Sequence, residues 1–196
     1  MGEQNTDRRV RKTRAQLRQA LTALLREKSV RDVTVKELTE LADVSRGTFY
    51  CHYKDIYDMA DQVENELLEE FSAVLNAYDT SRLRGGLRPI LRDIFGFLER
   101  NLDLCSTFLQ AGRHTAFLDR LKALVYEKIM EEWAGLYDFK DERSRDHSIS
   151  FLVGGVIGLV QTWATGARRE RVEEMAALAE NLILYGIKPM EREVGE

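Results

Sequence analysis

The sequence predicts an all-α protein, and two observations support this. Only two prolines, Pro89 and Pro189, interrupt its 196 residues, and no stretch of alternating β-branched residues is present. Apolar residues instead recur at intervals of three and four positions, which is the period of an amphipathic α-helix. We expect three helices in an N-terminal domain, residues 1–53, and a larger helical domain over residues 54–196.

The first helix is predicted over residues 9–28, where apolar side chains form a stripe with helical spacing. The stripe consists of Leu17, Ala20, Leu21, Leu24 and Leu25.

Two short helices with a tight turn between them follow the first. Thr34 and Glu37 have the spacing of a capping box, which predicts a helix that runs to about Ala42. Ser45 then has the side chain of an N-cap residue for a helix that ends near His52. This pair has the outline of a helix-turn-helix, in which the second helix enters the major groove of DNA.

The larger domain begins with a long helix that Asp55 can cap, and its length suggests a connector between the two domains. Further helices are predicted over 87–102, with Pro89 in the first turn where it is tolerated, and over 116–137, 144–165 and 171–186. A short segment around residues 107–111 lies between the first two of these. Gly186 and Pro189 are stop signals for the last helix.

Charge is distributed unevenly along the chain, although the net charge is only −4. Residues 1–56 carry 12 Lys and Arg against 8 Asp and Glu, and residues 57–196 carry 17 against 25. A basic N-terminal part on an acidic body is typical of a segment that binds a polyanion, although a charge run can equally be a solvated surface.

Other features narrow the class of protein. Cys51 and Cys105 match no zinc or CxxC spacing, so we expect no metal site and a reducing, cytoplasmic setting. The N-terminus lacks the apolar core of a signal peptide. The longest apolar run, residues 151–160, is about half of the ~20 residues that span a bilayer, so we expect no membrane segment.

The second short helix has side chains suited to DNA. Arg46 and Thr48 stand at its front, where arginine can contact guanine and threonine offers a hydroxyl and a methyl group. Tyr50, His52 and Lys54 carry donors suited to phosphate oxygens. Gly47 has no side chain at this end of the helix, so the backbone can approach DNA closely. Phe49 and Tyr53 are expected in the core.

The segment "TVKELTELADVSRGTFYCHYKDIYDM" resembles the DNA-binding signature of the TetR family of transcriptional regulators, and the preceding "RKTRAQLRQALTALLREK" resembles its first helix. Together these segments cover about 50 residues at the family's spacing. The resemblance implies a homodimeric regulator of operator DNA, most often a repressor. The sequence does not identify the effector, nor does it decide between repression and activation.

The resemblance implies two sets of DNA contacts. Base contacts are expected from Lys36, Arg46 and Thr48. Phosphate contacts are expected from Thr13, Thr34, Ser45, Tyr50, His52 and Lys54. Cys51 stands where the family often has a large aromatic or basic side chain, so its role stays open.

The family's C-terminal domain dimerises and usually encloses a small-molecule pocket, and the sequence offers candidates for both. An isologous interface is predicted from small and apolar residues of the last two helices, with intrachain packing as the alternative. These residues are Gly154, Gly155, Gly158, Val172, Met175, Ala179, Leu182 and Ile183.

The candidates for effector contact combine apolar bulk with a polar tip or lie near such residues, and core packing explains each of them equally well. They are Cys105, Phe108, His114, Trp133, Tyr137, Gln161 and Trp163.

Two other classes of function are alternatives to this prediction. An enzyme would use His52, His114 and His147 with acidic residues, but no nucleophile elbow, phosphate loop or metal spacing accompanies them, and no cofactor is expected. An interaction scaffold would bind RNA or membranes through the basic N-terminal part.

Overall fold

A computed structural model describes residues 2–83, 85–108, 115–133, 135, 138–166 and 170–186, with side chains at all of these positions except 2–7, 80, 115, 116, 132 and 133. Every regular element among the described residues is helical, which confirms the predicted all-α fold. The chain forms two compact units, Met1–Leu67 and Leu68–Glu196. This division falls inside one long helix, and the functional division predicted between residues 53 and 54 stays a prediction.

Ten α-helices are described, together with one 3₁₀ turn at Val30–Asp32 and one π-helical turn at Ile129–Trp133. The α-helices are α1 (Gly2–Glu27), α2 (Val35–Leu41), α3 (Arg46–Tyr50), α4 (Ile56–Asn76), α5 (Thr80–Leu83), α6 (Arg88–Arg100), α7 (Leu102–Phe108), α8 (Thr115–Lys128), α9 (Glu142–Thr165) and α10 (Val172–Tyr185).

The first unit is held by a core to which each of its helices contributes. Leu17, Leu21 and Leu25 of α1 are at most 1% exposed, and so are Leu38 of α2 and Phe49 of α3. The predicted stripe of α1 is therefore the buried face of this helix. Because α3 has only five residues, its stability depends on this tertiary packing rather than on helix propensity.

The predicted caps of the first unit are present. The Thr34 hydroxyl accepts the Glu37 amide at 3.3 Å, and the Glu37 carboxylate accepts the Thr34 amide at 3.2 Å, which completes a capping box. The Ser45 hydroxyl accepts the Thr48 amide at 3.1 Å and caps α3. Asp55 accepts the Asp58 amide at 2.8 Å at the start of α4.

In the second unit, α10 packs on α6, and α9 packs on α7 and α8. Glu180 of α10 accepts the Arg88 backbone amide at 2.9 Å, and its carboxylate pairs with the Arg88 guanidinium at 2.7 Å. The first turn of α6 is thus fixed to α10 by a hydrogen bond and an ion pair.

Several boundaries differ from the sequence prediction. Helix α1 begins at Gly2 rather than residue 9, and the single turn of α5 was not predicted. The predicted helix 87–102 ends at Arg100, because the backbone of the C-cap residue Asn101 leaves the helical region. The Asn101 side chain donates to the Phe97 carbonyl at 3.2 Å. Consequently α7 begins at Leu102, ahead of the predicted 107–111 segment, of which residues 109–111 lie outside the described residues.

The turn between α2 and α3 contains the one non-glycine residue with positive φ in the described chain, Asp43 at 53°. This left-handed conformation costs an L-residue roughly 1–2 kcal/mol, although Asp and Asn tolerate it better than other side chains. The Val44 amide then donates to the Thr39 carbonyl at 3.0 Å. Asp43 therefore sets the angle at which α3 leaves α2.

We predict that Asp43→Val lowers the free energy of unfolding by about 1–2 kcal/mol, because a β-branched residue strains this turn. Asp43→Gly should stay within about 1 kcal/mol of the wild type, since glycine adopts positive φ freely. Urea unfolding followed by circular dichroism measures both variants. Equal stability of the two variants would contradict this role for Asp43.

Candidate nucleic-acid interface

Helix α3 and the residues that flank it divide into a buried and an exposed side. Phe49 is 0% exposed and Tyr53 4%, which confirms that they are core residues. The Tyr53 ring lies 5.6 Å from that of Phe49, centroid to centroid. On the other side Ser45, Arg46, Gly47, Tyr50 and Lys54 are exposed, while Thr48 and His52 are half-buried.

The N-terminus of α3 has hydroxyl groups already oriented by local hydrogen bonds. The Ser45 and Thr48 hydroxyls lie 2.8 Å apart, and either can be the donor. Whichever hydroxyl donates, the proton of the other is left for an outside acceptor. The pair can therefore offer one donor at the exposed end of α3, beside the exposed Arg46.

Gly47 lies in the first turn of α3 and leaves this end of the helix open. A Cβ at this position would meet only the Ser45 hydroxyl oxygen, at 3.7 Å, which is an ordinary contact. The first unit itself therefore does not require glycine here. What the missing side chain provides is space on the exposed side.

Tyr50 combines a fixed ring with an exposed surface. Its ring meets Phe49 edge to face with centroids 5.4 Å apart, yet 58% of the residue is exposed. Packing on a fully buried neighbour orients the ring and leaves the phenol accessible. Cys51, the C-cap residue of α3, is also exposed and has a free thiol.

The start of α2 carries Thr34 and Lys36, both exposed. The Thr34 hydroxyl donates to Glu37 at 2.8 Å, and Lys28 donates to the other oxygen of that carboxylate at 2.7 Å. These hydrogen bonds, that of Lys28 first, lower the pKa of Glu37 to about 2. A phosphate contact from the Thr34 side chain would therefore replace an existing hydrogen bond, whereas Lys36 is exposed and makes no ion pair within the described residues.

Thr13 is half-buried on α1, just after an exposed basic stretch of Arg8, Arg9, Arg11 and Lys12. The next residue, Arg14, forms a link that sequence reasoning did not find. It pairs with Glu66 of α4 and donates to the Tyr53 hydroxyl at 3.4 Å, while Arg18 lies 3.7 Å from the same Glu66 carboxylate. The hydrogen bond to Tyr53 is the main reason that the pKa of Arg14 is raised.

This link ties the C-terminal side of α3 to α1 and α4 through Tyr53. No local sequence pattern pairs Arg14 with Glu66, because the two residues are 52 positions apart. Helical periodicity identifies the apolar face of a single helix, but it does not identify ion pairs between different helices.

The predicted effector residues lie in different surroundings. Cys105, Phe108 and Trp163 are buried and Gln161 is half-buried. Trp163 stacks edge to face on Phe95 at 5.3 Å, and its indole N–H donates to the Glu170 carbonyl at 2.9 Å. His114 and Tyr137 lie outside the described residues, as does the side chain of Trp133.

The second unit contains a cavity of about 130 Å³ whose described walls are entirely apolar. The described members of the predicted effector set do not line it. Its walls come from Phe71, Leu75, Leu83, Leu87, Ile90, Leu91, Ile94, Leu98, Leu121, Val125, Ile129, Leu152, Val153, Val156, Ile157, Val160 and Ile183.

The residues predicted for a dimer interface fall into two groups. Gly154, Gly155 and Gly158 are exposed on α9, and a Cβ at any of them would meet no atom within 4 Å. Beside them Phe151 is 79% exposed. The residues of α10 are turned more toward the subunit itself. Val172, Met175 and Ala179 are buried, and Leu182 and Ile183 are half-buried.

Helix α9 is the one described helix that is long and apolar enough to cross a membrane by length and composition alone. A core helix of a soluble protein passes the same test, and one such helix is weak evidence for a membrane protein. Ile149, Val153 and Ile157 of α9 form a buried cluster against α8 residues, including Leu118 and Val125.

Comparison with known proteins identifies the family. Residues 86–185, more than half of the chain, match the family model for the C-terminal region of TetR-type transcriptional regulators. An uncharacterized HTH-type transcriptional regulator of Bacillus subtilis, YxbF, is 30% identical over 110 residues, or 54% of this chain and 29% of that protein. The chain therefore spans less than a third of the length of this curated relative.

Solved structures show the same fold. A TetR transcriptional regulator from Streptococcus agalactiae has a TM-score of 0.61 at 21% identity, with coverage of 93% of this chain and 99% of that one. The fatty acid degradation regulator FadR of Bacillus halodurans has a TM-score of 0.64 at 16% identity, with coverage of 90% and 96%.

Members of this family are soluble regulators rather than enzymes; they bind operator DNA and small ligands and typically dimerise. Within the described residues, no group of three or more His, Cys, Asp or Glu side chains could hold a metal ion. The helical fold and the matched C-terminal region agree with the signature in the first unit, and the chain belongs to the TetR family of transcriptional regulators.

Proposed function

We propose that this protein is a cytoplasmic homodimer that binds operator DNA through α3, represses transcription there, and releases the DNA when a small-molecule effector occupies the second unit. The observation that carries the DNA-binding part is the two-sided character of α3. Phe49 anchors the helix in the core, while Arg46, Gly47 and Tyr50 remain exposed together.

Arg46, Thr48 and Lys36 are the proposed base-contacting residues. Arginine and lysine recognise the O6 and N7 acceptors of guanine, and threonine offers a methyl group and a hydroxyl. Arg46 stands in the first turn of α3. In helix-turn-helix complexes the N-terminal residues of the second helix contact base edges in the major groove.

Phosphate contacts are proposed for Thr13, Thr34, Ser45, Tyr50, His52 and Lys54. Such contacts fix the register of the protein on the duplex without reading sequence. Each phosphate neutralised by Lys or Arg releases counterions, so binding is expected to weaken steeply as salt rises.

The homodimer is proposed to form across the glycine face of α9, defined by Gly154, Gly155 and Gly158. Exposed glycines with empty space beyond them let a second helix approach closely. The exposed Phe151 provides apolar area beside them. Because Val172, Met175 and Ala179 are buried within the subunit, α10 would contribute through its more exposed C-terminal residues Leu184 and Tyr185.

The effector response is proposed to act through α4. This helix begins at Ile56, shortly after α3, and continues without a break to Asn76. Its residues Phe71 and Leu75 line the apolar cavity of the second unit. An occupant that displaces these two side chains would bias the position of α4, and with it the spacing of the two recognition helices.

The proposal as a whole is tested by incubating the protein with fragments of its own genome and sequencing those that remain bound. We expect enrichment of fragments that share an inverted repeat. The genes next to these fragments would also suggest the chemical class of the effector. Recovery of fragments without a common sequence would contradict operator binding.

Arg46→Ala should weaken operator binding by about 1–3 kcal/mol, because it removes a contact to a base edge. The matched control is Arg31→Ala, which removes the same charge from an exposed position of the first unit, before α2. Binding of both variants to operator and random duplexes is measured by fluorescence anisotropy. Equal losses on the two duplexes for Arg46→Ala would remove it from the base-reading set.

Gly47→Ala should leave the first unit folded, because the new Cβ meets only one atom at ordinary contact distance. We expect a melting temperature at or slightly above that of the wild type, since alanine favours helix more than glycine does. Operator affinity should fall at the same time, since the methyl group occupies space needed by DNA. Unchanged affinity would show that DNA does not approach α3 at this point.

Gly158→Arg should convert the dimer to a monomer of 22.6 kDa, because the long side chain separates the two α9 helices. The open space at Gly158 means that a monomer accommodates it. Sedimentation velocity measures the mass, and Ala23→Arg, at another exposed helical position, is the control. A dimeric Gly158→Arg protein would exclude this face as the interface.

A further inference from the structure

The apolar cavity of the second unit has a chemistry that restricts what it can hold. We propose that it binds a compact, uncharged hydrocarbon group about the size of a single ring, and that this group is the recognised part of the effector. This inference rests on the proposed function, in which the second unit senses a small molecule.

The described walls of the cavity contain only hydrocarbon side chains from α4 to α6 and α8 to α10, such as Phe71, Leu91 and Val160. A water molecule inside a protein needs two to four polar partners, and these side chains provide none. A buried amide or hydroxyl without a hydrogen bond costs several kcal/mol, and a charge costs far more. The walls therefore favour hydrocarbon and reject carboxylate, phosphate and ammonium groups.

The volume sets the size of the occupant. The cavity measures about 130 Å³, and an apolar protein cavity of about 150 Å³ lined by Leu, Ile and Phe takes up benzene or xenon. One aromatic ring or a short branched alkyl group fits this space. A fused polycyclic molecule exceeds it.

Seven wall residues are only half-buried: Leu87, Ile94, Val125, Ile129, Leu152, Val156 and Ile183. The hydrocarbon can therefore be a small free molecule, or it can be the apolar end of an amphiphile whose polar end stays outside these residues. Both sources share one chemistry inside the cavity, and they differ in what remains in solvent.

Methyl NMR of the full-length protein distinguishes these cases with three probes: benzene, hexyl β-glucoside and benzoate. We expect benzene to shift the methyl resonances of wall residues such as Leu91, Val156 and Val160, and benzoate to leave them unchanged. If hexyl β-glucoside shifts these resonances, whether or not benzene also does so, the result supports an amphiphile as the molecule that carries the hydrocarbon group. No shift from either uncharged probe, or shifts from benzoate as large as those from benzene, would overturn the proposal.

Val156→Phe fills the cavity and should weaken benzene binding by about tenfold or more, which is ~1.4 kcal/mol. The control is Val74→Phe, the same substitution at a half-buried valine that does not line this cavity, and it should bind benzene as the wild type does. If Val156→Phe does not fold, Val156→Ile makes a smaller change in the same direction. Equal benzene affinity in wild type and the folded filling variant would place benzene elsewhere and overturn the proposal.

These measurements use no DNA, so their failure is separable from failure of the proposed function. If wild-type protein selects an operator but binds neither uncharged probe, the hydrocarbon assignment is wrong while the regulator remains. If benzene binds and no operator is found, the cavity assignment stands and DNA regulation is wrong.

Discussion

The burial of Phe49 is the interaction on which the proposed DNA-reading surface depends. Helix α3 has five residues, far fewer than the ~12–15 that make an isolated helix even marginally stable in water. Phe49 is fully buried, and loss of a buried phenylalanine typically costs about 3–5 kcal/mol. The hydroxyl cap from Ser45 adds about 1 kcal/mol. The helix therefore forms because its inner side packs in the core, and the side chains on its outer side remain available for DNA contacts.

The surroundings of Phe49 extend this constraint to the rest of the first unit. Tyr50 and Tyr53 both contact its ring, one exposed and one buried. Tyr53 accepts a hydrogen bond from Arg14 of α1, which also pairs with Glu66 of α4. A change in the position of α4 would consequently reach α3 through side chains that are already in contact. The second unit differs, since the described walls of its cavity are hydrocarbon side chains rather than specific polar pairs.

Much of the first unit was predictable because its signals are local. The capping box at Thr34, the Ser45 cap and the spacing of Leu17, Leu21 and Leu25 each lie within one helix or its end. The Arg14–Glu66 pair was not predictable, because it joins residues distant in sequence. The cavity was missed for a related reason. Apolar side chains with polar tips, such as Trp163, stand out in a sequence as candidates for ligand contact. The described walls are instead ordinary Leu, Ile, Val and Phe residues, which a sequence does not distinguish from core. The end of α6 at Arg100 was not predictable, because its C-cap is Asn101 and neither proline nor glycine marks the position.

In the proposed mode of DNA binding, two copies of α3 read the major groove of one duplex. Methylation protection of guanine N7, an atom exposed in the major groove, tests this claim directly on a selected operator fragment. We expect protected guanines in two half-sites whose centres lie about one helical turn, ~34 Å, or a multiple of it apart. Protection should fade in Arg46→Ala at the same concentration of bound protein. Protection confined to one half-site, or binding that leaves every guanine N7 reactive, would contradict this mode of binding.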